Sequence, residues 1–131
     1  MRVLLDTDVL LDVALARQQF LEASGAVLDW AEQHPGRAVV AWHSLSNLAY
    51  MIRPDARPFI TDLLGFVDVA PASATAVRLA LRLPLTDFED ALQVAAATAA
   101  GAEHIVTRNV RDYRDSPVPA VTPTGFLGRL G

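Results

Sequence analysis

The sequence contains no cysteine and no lysine, and each absence excludes a class of chemistry. Without cysteine there is no disulfide bond, no thiolate nucleophile and no zinc–thiolate site, which agrees with a reducing cytosol. All 11 basic residues are arginine, so a lysine base, a lysine Schiff base and a phosphate-loop lysine are excluded as well. The sequence also lacks a Gly-x-Ser-x-Gly turn and a glycine-rich phosphate loop.

Long hydrophobic runs are missing too. No apolar stretch approaches the ~20 residues of a membrane span. Asp6 ends the apolar start after about four residues, too early for the roughly 7 to 15 residues of a secretory leader. The net charge of -4 argues against a protein that holds nucleic acid by a basic surface alone, but not against a metal-dependent enzyme. We expect a soluble cytoplasmic protein without membrane contact.

The 131 residues, 52% of them hydrophobic, suit a single domain spanning 1–131. Apolar runs alternate with segments of helical period, which predicts a three-layer α/β/α sandwich with a central parallel sheet of four or five strands. Ser73 and Thr86 are expected to cap helices, and Gly101 to end one. The predicted strands are 2–5, 38–42, 67–69, 104–107 and, weakened by Pro119, 118–121; the predicted helices are 6–11, 18–34, 43–54, 57–66, 73–83, 87–100 and one from Thr122-Pro123 onward.

Acidic residues cluster at three of these predicted boundaries. Parallel strands end on one side of a sheet and the helices after them begin there, so the three clusters are expected to share a crevice. Carboxylates that no lysine or histidine nearby in sequence compensates suggest a divalent metal. Taken singly, Asp6 is equally well explained as a helix cap, and Asp87 as a complement to a helix dipole. The clusters are Asp6 with Asp8, Asp87 with Glu89 and Asp90, and Asp112.

Basic and polar groups follow the fourth predicted strand. The Thr107-Arg108-Asn109 turn offers a hydroxyl, a guanidinium and an amide, which can orient a phosphate or a metal-bound water; it can equally be a plain polar turn. Arg111 and Arg114 extend this basic edge, unless Asp112 and Asp115 simply pair with them.

Polar residues also follow the second predicted strand, where Asn47 offers a neutral oxygen and Ser44 is expected to cap a helix. The histidines lack metal-ligand spacing and are expected at the surface or at caps; these are His34, His43 and His104. Several aromatic residues are expected in the core or in dimer contacts rather than as nucleobase platforms, namely Trp30, Trp42, Tyr50 and Phe59.

Three segments in order resemble the PIN-domain ribonucleases, and in particular the VapC-type toxins of prokaryotic toxin–antitoxin pairs. The resemblance covers nearly the whole chain, and Pro123 and Phe126 match the final helix of that family. The opening motif alone is weak, whereas all three at these spacings are specific. The segments are Leu4-Leu5-Asp6-Thr7-Asp8-Val9-Leu10-Leu11-Asp12, Asp87-Phe88-Glu89-Asp90-Ala91-Leu92-Gln93 and Ile105-Val106-Thr107-Arg108-Asn109-Val110-Arg111-Asp112-Tyr113.

The resemblance implies a set of catalytic and metal-binding acids. The first acid of the family falls on Asp6, its helix acid on Asp90, and its late acid on Asn109 or on Asp112, which carries the charge. The remaining acid, a glutamate, falls on Asn47. These two asparagines are departures that weaken the expected cation site. The missing charge would come from Asp8 or Asp87, with Thr107 in a supporting role.

The same resemblance implies hydrolysis of RNA phosphodiesters with Mg²⁺ or Mn²⁺. The arginines after the fourth strand, Arg108 and Arg111, are expected to contact the RNA phosphates. The resemblance also implies a homodimer and a small VapB-like antitoxin that covers the crevice.

Two other functions fit the residues. One is a PIN-like module that has lost catalysis and serves as a binding or regulatory partner, which Asn47 and Asn109 favour. The other is a haloacid dehalogenase-type phosphatase, with Asp6 as nucleophile and Asp8 as general acid. That family uses a lysine to hold the aspartyl phosphate, and this chain has none.

Overall fold

A computed structural model of the protein describes residues 1–52 and 54–130. Within them, two helices follow each of the first three strands, a short 3₁₀ helix follows β4, and one helix follows β5. No helix in this part of the chain is long and apolar enough to cross a membrane. The elements are β1 (Val3–Leu5), α1 (Thr7–Ala14), α2 (Leu21–Gln33), β2 (Ala38–Val40), α3 (Trp42–Met51), α4 (Arg57–Leu63), β3 (Asp68–Val69), α5 (Ala74–Arg82), α6 (Phe88–Ala99), β4 (His104–Val106), the 3₁₀ helix (Val110–Tyr113), β5 (Ala120–Val121) and α7 (Pro123–Leu130).

The five strands form one sheet in the order β3-β2-β1-β4-β5, and every neighbouring pair is parallel. The predicted α/β/α fold with its parallel central sheet is therefore confirmed. After β1 the chain adds β2 and β3 on one side of that strand, and it later adds β4 and β5 on the other side. Strand order therefore reverses between β1 and β4. In an open parallel sheet, this reversal opens a crevice at the carboxyl ends of the two strands.

Side chains of β1 are buried on both faces of the sheet, which explains its uninterrupted apolar sequence. Val3 and Leu5 point into a core shared with α1, α2 and α7, whereas Leu4 packs in a second core with residues of α6. The alanines of α6 keep that helix close to the sheet. Ala97, for example, is fully buried there. The start of α6 is thereby brought beside the end of β1.

The predicted strand 38–42 is wrong at its end. The strand stops at Val40, Ala41 is extended as the N-cap of α3, and Trp42 begins that helix with 65% of its surface exposed. The reason is that β3, the neighbour of β2, is only two residues long, so pairing ends at Val40. An apolar residue at the start of a helix cannot be distinguished in sequence from the last residue of a strand.

Other boundaries differ by a few residues. The second helix begins at Leu21 rather than at residue 18, and the fourth ends at Leu63 rather than at residue 66. The helix expected to reach 54 ends at Met51, and Arg53 lies outside the described residues. The last strand begins at Ala120, after Pro119, because proline has no N–H to donate to the sheet.

A fully buried aspartate joins α1 to the segment that follows β4. Asp12 accepts hydrogen bonds from Arg108 Nε at 2.8 Å and from Ser24 Oγ at 2.8 Å, and Arg17 lies 3.6 Å away. The guanidinium of Arg108 also stacks on the ring of Phe20, 3.8 Å from its centre. These contacts attach the loop after β4 to the first two helices.

We expect Asp12→Ala to lower the free energy of unfolding by about 3 kcal/mol, because it leaves two arginines without their buried partner. Urea denaturation measures the change. Asp55→Ala is the matched control, since Asp55 and Arg57 form an exposed ion pair and the loss should stay below about 1 kcal/mol. Equal losses in the two variants would contradict this account.

Candidate functional site

Asp6 lies at the point where strand order reverses. Its N–H donates to the carbonyl of Val106 at 3.0 Å, which ties the ends of β1 and β4 together. Asp6 is also the N-cap of α1, because its Oδ1 accepts from the N–H of Thr7 at 2.7 Å. The predicted cap role is therefore confirmed. It occupies one carboxylate oxygen and leaves Oδ2 to face other partners.

The hydroxyl of Tyr113 brings Asp6 and Asp90 together. Tyr113 Oη lies 3.0 Å from Asp6 Oδ2 and 3.3 Å from Asp90 Oδ1, so the two carboxylate oxygens are separated by no more than these two distances combined. Thr107 Oγ1 donates to the same Asp6 oxygen at 2.9 Å. The predicted approach of the first strand, the start of α6 and the segment after β4 is thus observed for these residues.

Burial and repulsion from neighbouring acids raise the pKa of both Asp6 and Asp90. The pKa of Asp6 rises from 3.8 to about 7, first because the carboxyl is buried and second because Asp8 is close, although the Thr107 and Tyr113 hydrogen bonds oppose the shift. The pKa of Asp90 rises to about 6, through burial and then through Asp87, Glu89 and, more weakly, Asp112. Negative charge is therefore costly at this place.

Tyr113 itself is nearly fully buried, and burial together with Asp6 and Asp90 raises the pKa of its phenol far above the ordinary value. The phenol stays protonated and has one hydrogen to share between two carboxylates. Both contacts are satisfied at once only when one of the acids is protonated, which agrees with the raised pKa values.

Asp8 shapes the turn after β4. Its Oδ2 accepts from the N–H of Arg108 at 3.1 Å, from Asn109 Nδ2 at 2.9 Å and from Thr107 Oγ1 at 3.3 Å. Burial raises its pKa. Its other oxygen, Oδ1, is buried and has no hydrogen-bond partner among the described residues. Asp8 therefore orients Asn109 through one carboxylate oxygen, while its other oxygen has no partner among the described residues.

Asp87 caps α6, with its Oδ1 accepting from the N–H groups of Glu89 and Asp90. The expected cap at Thr86 is therefore wrong by one residue. An aspartate side chain accepts this bond as well as a threonine hydroxyl does.

The start of α6 and the 3₁₀ helix line an open cleft of about 260 Å³. Arg111 and Arg114 lie on its wall, and neither forms an ion pair with another described residue, although Asp112 and Asp115 are adjacent in sequence. Two exposed guanidinium groups are thus free to meet an anion. The lining residues are Pro84, Leu85, Thr86, Asp87, Asp90, Arg111, Asp112, Arg114 and Asp115.

Arg108, predicted to contact substrate, forms an ion pair with Asp12 and does not line this cleft. Its position along the chain could not indicate this, because Asp12 is 96 residues away. Asn47 lies half-buried on α3, one turn after His43.

A polar network that the sequence did not predict connects α1, α3 and α6. Gln93 Nε2 donates to Ser44 Oγ at 2.9 Å and lies 3.2 Å from Thr7 Oγ1 and 3.3 Å from Glu89 Oε2. The expected cap role of Ser44 is therefore wrong. Ser44 is buried in this network, and Ala41 is the N-cap of α3. The signal in the sequence was a glutamine within the alanine-rich buried face of a helix, where a polar group requires partners.

The donor set fits a hard cation that keeps part of its hydration shell. Within 1–52 and 54–130, no three acidic or histidine side chains stand close enough to enclose a metal ion by themselves. Mg²⁺, however, requires only one or two carboxylates and binds water for the rest. Asp6 and Asp90 offer such a pair, and the unpartnered Oδ1 of Asp8 is a further oxygen nearby.

The raised pKa values predict how stability varies with pH. Because the native acids bind protons that the unfolded chain has released, the free energy of unfolding should fall as pH rises from about 4 to about 7. Asp6→Asn removes the charge and should raise stability at pH 8 by roughly 2 kcal/mol, with the gain vanishing near pH 4. Urea denaturation at both pH values measures it. Asp29→Asn, at an exposed position of α2, should show no such trend, and a gain that is equal at both pH values would contradict the assignment.

The family model described as PIN domain matches residues 2–111. VapBC2 from Rickettsia felis, solved bound to a DNA fragment from their promoter, has a TM-score of 0.71 and 15% identity, over 93% of this chain and 98% of that chain. A toxin–antitoxin complex from Klebsiella pneumoniae has a TM-score of 0.67 and 20% identity, over 92% and 97%. FitAB bound to an IR36 DNA fragment has a TM-score of 0.61 and 17% identity, over 92% and 94%.

No curated protein matches the chain. The structural similarities establish the fold, and the family model spans most of the sequence. With its parallel sheet and its acids at the β1/β4 crevice, the chain belongs to the PIN-domain family.

Proposed function

We propose that this protein is a metal-dependent endoribonuclease that hydrolyses RNA phosphodiester bonds and acts as the toxin of a type II toxin–antitoxin pair. The observation that carries the proposal is a pair of carboxylates in a PIN domain, Asp6 and Asp90. Both contact the hydroxyl of Tyr113 at the point where strand order reverses. One similar structure is VapBC2 and another is a toxin–antitoxin complex, which supports the proposed role as a toxin.

Asp6, Asp90 and Asp112 are the proposed catalytic and metal-binding residues, with Mg²⁺ or Mn²⁺ as the ion. When bound, the ion would supply a water of lowered pKa and neutralise charge on the phosphate under attack. Thr107 and Tyr113 orient the oxygens of Asp6 by hydrogen bonds.

Supporting roles fall to residues around this centre. Asp8 holds the amide of Asn109 in the turn after β4, and Asp87 fixes the first turn of α6, which carries Asp90. Asn47 is the remaining neutral oxygen donor of the proposed set. Arg111 lies at the cleft, where it would bind an RNA phosphate, and Arg114 lies beside it. Arg108, which pairs with Asp12, is the other proposed RNA contact.

Exposed apolar side chains support the proposal that this protein binds protein partners. Trp42 and Val77 border an apolar hollow, and Leu81 and Phe88 are exposed nearby in sequence on α5 and α6. Large exposed apolar groups of this kind mark protein interfaces. We infer that the protein, as one domain spanning 1–131, forms a homodimer in the cytoplasm and is held inactive by a small VapB-like antitoxin.

A non-catalytic PIN-like module is the second candidate. It is favoured by the absence of three clustered ligands in the described part of the chain and by the neutral Tyr113 hydroxyl, which already joins the two acids. Calorimetry with Mn²⁺ separates the candidates, because a module without a metal site gives no saturable heat.

We expect purified protein to cleave total RNA with Mg²⁺ or Mn²⁺ and to lose this activity with a chelator. Asp6→Asn and Asp90→Asn should each lower the rate by at least about 100-fold, since each removes a charged ligand while keeping its size. Asp29→Asn serves as the control for charge alone and should cleave normally. Unchanged cleavage in both site variants would refute the mechanism.

We expect the arginines of the cleft to contribute to RNA affinity. In an Asp6→Asn background, which keeps the RNA intact, Arg111→Ala and Arg114→Ala should each weaken binding and reduce the slope of log K against log salt by about 1. Fluorescence anisotropy at several salt concentrations measures the slope. Arg78→Ala, at an exposed site on α5, is the control; a slope unchanged in both cleft variants would remove them from the RNA-binding surface.

A further inference from the structure

Three helices begin at the carboxyl edge of the sheet beside the crevice, and one of them brings no acid. Asp6 and Asp8 belong to the start of α1 and Asp90 to the start of α6, whereas α3 contains no aspartate or glutamate. An acid from α6 reaches across to α3 instead. Glu89 Oε2 lies 3.0 Å from Nε2 of His43, which is in the first turn of α3.

We propose that Glu89 supplies a further negative charge to the metal centre, on the side where α3 lacks one, and that His43 and Gln93 are positioning residues that hold it there. The inference rests on the proposed function, because it assigns a residue to that same centre.

Glu89 is held from two helices. His43 binds it from α3, and Gln93, one turn further along α6, lies 3.3 Å from the same carboxylate oxygen. Gln93 is fully buried and bonds Ser44 on α3 and Thr7 on α1, the residue after Asp6. The carboxylate is thereby linked to the helix that Asp6 caps.

The negative charge of Glu89 acts on the acids of the proposed metal centre. It contributes to the raised pKa of Asp6, of Asp90 and of Tyr113, so it lies within the field of all three groups. A negative charge that opposes ionisation of these carboxylates also attracts a cation to them.

The contact between His43 and Glu89 is not explained by stability. Both side chains are partly exposed, 25% and 41%, and an exposed polar contact of this kind adds at most about 1 kcal/mol. The network also has a vacant acceptor, since the buried Oε1 of Gln93 has no partner among the described residues.

Glu89 acts through its charge and through water in this assignment, which agrees with the lack of three directly clustered ligands in the described chain. His43 and Asn47 are four residues apart on one face of α3. A glutamate placed at 47 would therefore bring a carboxylate to the side of the crevice that Glu89 now serves.

Calorimetric titration with Mn²⁺ tests the assignment in wild type, Glu89→Gln, Glu103→Gln and the double variant Glu89→Gln with Asn47→Glu. Glu89→Gln keeps the size and an acceptor for His43, so thermal unfolding should stay within a few degrees of wild type. Its affinity for Mn²⁺ should fall about tenfold, the order expected for one unit charge near a divalent ion across water. Glu103→Gln is the matched control, because Glu103 is exposed at the opposite edge of the sheet, before β4. The double variant should recover to within about threefold of wild type.

Each outcome has a distinct meaning. Saturable Mn²⁺ binding that is equal in wild type and Glu89→Gln overturns this inference and leaves the proposed function standing. A wild type that shows no saturable binding overturns the proposed function and the inference with it. If the affinity for Mn²⁺ stays low in Glu89→Gln with Asn47→Glu, the inference that the charge of Glu89 acts from the α3 side of the crevice is overturned.

Discussion

Two carboxylates share one phenolic hydroxyl in the crevice, and much of the site's arrangement depends on that contact. Among the described residues no arginine forms an ion pair with Asp6 or Asp90, so burial and neighbouring acids raise both pKa values. The sheet and its two apolar cores must offset this local cost. Perturbed acids maintained at a stability cost are typical of sites that bind or react.

The fold and the meeting of the acids were predictable because both follow from topology. Apolar strands such as Val3–Leu5, alternating with helices, leave few arrangements other than a parallel sheet, and parallel strands end on one side. Asp6 and Asp90 therefore converge whatever the details of the loops. Element ends were less predictable, as Trp42 shows, because an apolar residue is compatible with both a strand end and a helix start.

Side-chain partners that are distant in sequence could not be predicted. Nothing in the pattern around Arg108 indicates that it turns away from the cleft to meet Asp12, or that Tyr113 reaches both acids. These choices depend on the path of the chain after β4, which Asp8 holds through three hydrogen bonds. Gln93 is an intermediate case, since its burial could be inferred from helical period but its partners on α1 and α3 could not.

An acidic protein that acts on RNA must overcome repulsion from a polyanion. With a net charge of -4, attraction cannot come from the surface as a whole. The charges are instead divided locally: acids lie together at the β1/β4 crevice, and the unpaired Arg111 and Arg114 lie along the adjoining cleft. A divalent ion at the acids would neutralise much of their negative charge beside those arginines. On the proposed function, the ion that activates the chemistry also lowers the repulsion that an approaching phosphate meets, so it adds to the attraction that the arginines supply.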